Sequence, residues 1–168
     1  MLQIAKRIDK LNIIVGGLTS FLSILLVVNV FISVIQRYML NSSSVWQAEL
    51  SLAISSFIFL ICAGYTLYFN SHVRVDIAYE KCCVKSRAKV NIAGTLLLLF
   101  PMCAAIIYFS SPFIFTSWKL LESSPEYGGI IGVFVIKTFI WGFAVFLILQ
   151  GFSLILNSLK TIMSDSKV

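Results

Sequence analysis

The sequence predicts an all-α integral membrane protein, a single membrane domain over residues 1–168 with four transmembrane helices and both termini in the cytoplasm. Three observations predict it. Hydrophobic residues make up 59% of the 168 and charged residues only 12%, whereas soluble domains hold about 45–50% and about 25%. Four long stretches, 11–35, 50–69, 90–116 and 130–156, share one ionisable charge, Lys137. The basic residues gather in alternate connections between those stretches. The same composition excludes a disordered chain and a secreted disulfide scaffold.

The first ten residues place Leu2, Ala5 and Ile8 at helical spacing among Lys6, Arg7, Asp9 and Lys10. That pattern fits a short amphipathic helix on the membrane surface, or a frayed basic tail. Stretch 11–35 follows, and about 20 apolar residues suffice to cross a bilayer core roughly 30 Å thick. It is too long for the apolar part of a cleaved signal peptide, and Gln36-Arg37-Tyr38 ends it as a membrane interface would. Trp46 and Glu49 stand one helical turn apart at the outer mouth of the second stretch, 50–69. Tryptophan is an ordinary interfacial anchor, and a glutamate near a helix N-terminus complements the helix dipole.

After the second stretch comes a polar loop, 70–89, containing His72-Val73-Arg74-Val75-Asp76. Its alternation suits an extended segment, while a helix would align His72 with Asp76. The third stretch contains Pro101, which removes a helix hydrogen bond and predicts a kink. Gly128 and Gly132 form a GxxxG pair leading into the fourth stretch, a spacing that lets helices approach closely. Asn29, Gln36 and Gln150 are the polar residues expected to bond a neighbouring helix. Lys137 either snorkels to the interface or pairs with an acid such as Glu49 or one on a partner.

Charge fixes the orientation. Lys6, Arg7, Lys10, Arg74, Lys81, Lys85, Arg87, Lys89, Lys160 and Lys167 all fall in the first, third and fifth connections. Basic residues accumulate on the cytoplasmic side, so both termini and the 70–89 loop are expected there. The net charge of +6 is thereby a topology signal, and nucleic-acid binding loses its support.

The chemistry available is sparse. One histidine, His72, cannot supply the paired axial imidazoles of a membrane haem, and no residues have metal-ligand spacing. Cys62 and Cys103 lie in spans, and Cys82-Cys83 in the cytoplasmic loop, so no cysteine faces an oxidising side. The four stretches hold no Asp, Glu or His, the groups an ion-coupled transporter keeps at membrane depth. No cofactor is expected in the chain. Two alternatives remain. A four-helix redox enzyme would lose function without its cysteines, and a small self-assembling exporter would move solute as a purified chain.

With these residues in view, the chain resembles the small membrane (permease) subunit of TRAP transporters, the tripartite ATP-independent periplasmic family, in its DctQ-like form. Arg37-Tyr38 closing the first span, Trp46 and Glu49, Gly64, and His72-Val73-Arg74-Val75-Asp76 match that family's pattern. So do the run Glu122 to Gly129, Lys137, and Gln150-Gly151. Ala48 stands where the family often has a first glutamate, and Tyr68 to Ser71 lack its common arginine. The resemblance implies an inner-membrane scaffold, not an enzyme, beside a large subunit that carries the substrate and sodium sites. It also implies a periplasmic binding protein that delivers an organic-acid-type solute. Trp46, Glu49, Gly64, His72, Arg74, Asp76, Lys137 and Gln150 are the residues it marks as structural or interface positions, and membrane lipids are the remaining partner.

Overall fold

A computed structural model describes residues 2–69 and 83–164. These form six α-helices and one π-turn: α1 (Leu2–Met39), α2 (Val45–Ile61), α3 (Ala63–Tyr68), α4 (Val84–Gly94), the π-turn Thr95–Leu99, α5 (Phe100–Leu120) and α6 (Val133–Ser164). No strand occurs among the described residues. Four helical stretches are long and apolar enough to cross a membrane: Ala5–Met39, Val45–Tyr68, Val84–Leu120 and Val133–Met163. A helix satisfies its own backbone donors and acceptors, which is why apolar sequence in lipid takes this form.

Each helix departs in an instructive way from the apolar stretch that predicts it. The first ten residues do not make a separate surface helix, because α1 runs unbroken for 38 residues. Asp9 and Asn12 bond to α6 and hold those early turns against the bundle. Past Met39, Asn41 adopts φ 47° and turns the chain so that the Ser42 amide reaches the Gln36 carbonyl at 3.1 Å. Asparagine tolerates that left-handed backbone better than most residues. Cys62 separates α2 from α3, yet its own amide still bonds Ile58 O and its carbonyl still receives the Thr66 amide, so one span results.

The third span carries an extra residue of turn. Phe100 donates its amide to Thr95 O, a five-residue step, directly before Pro101, which has no amide to give. The expected proline disturbance is therefore a π-turn, a form that recurs where a helix must absorb one residue.

The fourth helix begins at Val133, later than the apolar pattern suggests. Gly128 sits at φ +80° in the preceding loop, so Gly128 and Gly132 do not form a helical GxxxG face. The Ile130 backbone is already engaged, its carbonyl receiving the Ser124 amide at 2.9 Å and its amide bonding Glu49.

Helix α6 is the hub, packing against α1, α2, α3, α4 and α5. Ala63, Leu67, Cys103, Ala144 and Leu147 make the buried centre, with Ile106, Ile107 and Phe143 packed around it. Small residues there let three helices approach closely. Large apolar side chains such as Val27, Phe31, Phe59 and Leu97 point outward, as a surface meeting hydrocarbon should.

Candidate functional site

The bundle carries a polar clamp at each end. The first joins the 121–132 connection to α2 and α6. Ser124 donates its hydroxyl to Glu49 Oε1, and the Ile130 amide donates to Glu49 Oε2 at 2.6 Å. One carboxylate thus ties two points of the connection to the start of α2. The Ser124 oxygen also accepts the Glu126 amide at 3.1 Å, tightening the turn.

Alongside, Lys137 of α6 bonds the Glu122 carboxylate, which also accepts the Ser117 hydroxyl at 2.6 Å. The Lys137 ammonium lies 4.0 Å from the centroid of the Phe113 ring as well, a favourable cation–π arrangement. Glu122, rather than Glu49, is therefore the partner of Lys137. The hydrogen bond from Lys137, followed by that from Ser117, holds the Glu122 carboxyl below its ordinary value of 4.5. Leu121 enters this connection at φ 44°, the left-handed turn that ends α5. Near the same end, Asn29 donates to Gln47 O at 3.1 Å and to Ser51 Oγ at 2.8 Å, joining α1 to α2.

The second clamp lies toward the termini. Asn12 of α1 donates to Gln150 Oε1 of α6 at 2.6 Å. Gln150 in turn donates to Asp9 at 3.1 Å, and Ser153 donates to the same carboxylate oxygen at 2.6 Å. Asn12, Gln150 and Ser153 are fully or nearly fully buried. Because Asp9 can only accept, the amide orientations of Gln150 and Asn12 follow one from the other. Asn12 Oδ1 is left facing α3, where a β-carbon on Gly64 would stand 2.5 Å away and 3.1 Å from Phe146 O. Glycine at 64 is what lets α3 seat against α1 and α6 together.

The marked residues therefore divide. Glu49 and Lys137 belong to the first clamp, and Gly64 and Gln150 to the second. Trp46 is half-exposed at the start of α2, at the level of the first clamp. His72, Arg74 and Asp76 lie outside the described residues. Asp9, Asn12, Ser153, Ser117, Glu122 and Ser124 complete the clamps although sequence reasoning did not assign them sites. A signal for the second clamp existed, since Asp9 with Asn12 and Gln150 with Ser153 are polar pairs spaced one helical turn apart. Among the described residues no group of three His, Cys, Asp or Glu could hold a metal ion.

Chemically, these are braces. Each acid or amide in them is bonded to another helix or to the connection above it, so their common effect is to fix four spans relative to one another.

Comparison with known families gives a match to the family model described as tripartite ATP-independent periplasmic transporters, DctQ component, over residues 26–165. No curated protein and no solved structure matches the chain. The matched region takes in the whole first clamp and the α6 side of the second. The chain belongs to the DctQ family, the small membrane component of the TRAP transporters.

Proposed function

We propose that the chain is the scaffold of its transporter, holding the large membrane subunit in place and helping the periplasmic binding protein to dock. On this reading it works in a bacterial inner membrane during sodium-driven uptake of an organic-acid-type solute. The sodium and substrate sites belong to the large subunit. The termini and the 70–89 loop, with His72, Arg74 and Asp76 as a brace, face the cytoplasm. The clamp of Glu49 and Lys137, with Trp46 beside it, then faces the periplasm.

One observation carries the reading. Glu49, Glu122 and Lys137 in the first clamp, and Asp9, Gln150 and the Asn12 donor in the second, are bonded across helices or to the connection between them, and so serve rigidity. A transport site needs groups free to exchange partners with a solute or ion.

The test is co-expression of the chain with the large membrane subunit, followed by purification and reconstitution with the binding protein. The expected result is a stable complex that accumulates solute only with an inward sodium gradient and with both membrane subunits present. Solute movement by this chain alone in liposomes would overturn the proposal.

A further inference from the structure

The start of α1 carries three cations that its own chain leaves unanswered. Lys6, Arg7 and Lys10 are exposed and form no ion pair among the described residues. Asp9 is the acid nearest them in sequence, and it is turned the other way, accepting from Gln150 and Ser153 of α6. No acid stands in the first turn of α1. Lys6 and Lys10 are four residues apart, a spacing at which like charges repel along a helix.

The second clamp sets where these cations point. Ala5 and Asn12 are buried, and Asp9 between them is bonded to α6. At 100° per residue those three share one side of α1, which places Lys6, Arg7 and Lys10 on the other. The same outer side continues through Ile13, Ile14 and Phe21, all of them exposed. Gly17 lies among these, one turn from each, and a β-carbon on it would meet nothing within 4 Å. Its missing side chain serves no contact within this chain, although glycine weakens a helix interior. What it leaves is a shallow apolar depression directly below the cations.

Depth names the occupant. Residues 11–35 carry no charge, and at about 1.5 Å each they run about 37 Å, enough to fill a hydrocarbon core about 30 Å thick. Lys10 borders that stretch, and Lys6 stands about 6 Å beyond it, within a headgroup layer roughly 5–8 Å deep. Lipid phosphates lie at that level. An acidic protein or a nucleic acid in water would meet the cations but not the apolar track beneath them. A lipid meets both.

We infer that this face of α1 holds an anionic glycerophospholipid, its phosphate bound by Lys6, Arg7 and Lys10 and one acyl chain seated over Gly17. The site needs only that the four spans lie in a bilayer, and so stands apart from the scaffold reading.

The test uses the purified full chain in phosphatidylcholine nanodiscs containing a trace of phosphatidylglycerol with a photoreactive acyl chain, or of phosphatidylcholine carrying the same chain. Mass mapping is expected to place the phosphatidylglycerol adduct on residues 11–21, well above the phosphatidylcholine one. A basic residue near the surface is worth about fivefold in attraction to anionic lipid, so replacing Lys6, Arg7 and Lys10 together by glutamine should cut that adduct by more than about tenfold. Lys89→Gln removes one exposed charge from α4, at the edge of the third apolar stretch, and should leave the adduct unchanged. Gly17→Leu fills the depression with every charge intact and should lower the adduct several-fold. Equal labelling by the two lipids, an undiminished adduct in the triple variant, or an adduct only outside residues 11–21 overturns the site. An equal fall in Lys89→Gln and the triple variant overturns it too, because general surface attraction then suffices. An unchanged adduct in Gly17→Leu overturns the acyl seat. Loss of the adduct on adding inorganic phosphate, or polyglutamate equimolar with the labelled lipid, overturns the lipid as occupant in favour of a soluble anion or an acidic protein.

Discussion

Gly64 lies so close to Asn12 that a β-carbon there would stand 2.5 Å from the Asn12 Oδ1 atom. The contact joins α3 to α1 at the point where both meet α6. Gly64→Ala therefore forces the helices apart, at a cost of about 1–3 kcal/mol typical of overpacking. Asn12→Ala removes Oδ1 and Cγ, two of the three atoms in the way, and leaves Phe146 O at 3.1 Å. The double variant should lose less than the sum of the singles in thermal unfolding of the detergent-solubilised protein. Strict additivity would show that the contact is not what limits residue 64.

The first clamp predicts a local effect. Glu49→Ala strands the Ile130 amide and the Ser124 hydroxyl, so the 121–132 connection loses its tie to α2. Protease cleavage within that connection should accelerate several-fold while the transmembrane helices keep their circular dichroism. Glu49→Gln retains one acceptor and should fall between. Equal cleavage in all three proteins would contradict the role given to Glu49.

Acidity tests Glu122. The hydrogen bond from Lys137 and then that from Ser117 favour its ionised form and lower its folded value below 4.5. A depressed carboxyl adds stability that is fully present above the unfolded value and is lost as pH falls through the folded one. Thermal stability should accordingly be insensitive to this group from pH 6 to 8, in round terms, and decline below about 4.5. Glu122→Gln should reduce the acid-side slope, and Lys137→Met should remove its main cause. An acid slope identical in Glu122→Gln and the parent protein would refute the assignment.

The second clamp is testable through α1. Gln150→Leu leaves the buried Asn12 amide without its acceptor and takes one donor from Asp9. Membrane hydrogen bonds of this kind are worth about 0.6 kcal/mol on average and up to about 1.7 kcal/mol. The early turns of α1 should then loosen from α6, exposing Ala5, now buried. A thiol introduced by Ala5→Cys should react with maleimide faster in the Gln150→Leu background. Unchanged labelling would mean that apolar contacts alone seat the start of α1.

Much of the architecture is legible in the sequence because lipid imposes one rule, that backbone groups pair within the segment. Residues 11–35 and 90–116 are mostly apolar and carry no charge, and each lies inside a continuous helical stretch. The ends are less legible. Lys6 to Lys10 read as a surface segment because their charges suggest water, whereas Asp9 is bonded to Gln150 and Ser153 across 141 and 144 residues of chain. Residues 130–132 are apolar but not helical, since Glu49, far away in sequence, takes the Ile130 amide. Within the clamps, Glu49, Gly64, Lys137 and Gln150 stand out by residue type and by family pattern. Their partners Ser117, Ser124 and Ser153 are ordinary serines until the helices are brought together.

The π-turn at Thr95–Leu99 sets the phase of the third span. Within the turn and directly after it, Thr95, Leu99 and Phe100 crowd Gly151; further along α5, Cys103, Ile114 and Ser117 turn inward. An α-helix advances 100° per residue, and the extra residue is absorbed within the turn, so both inward faces stay aligned. Removing one residue between Gly94 and Pro101 should let the span run as plain α-helix with the same inward faces. A single deletion there is therefore a neutral change of length, whereas one between Cys103 and Ile114 would swing one face out into lipid.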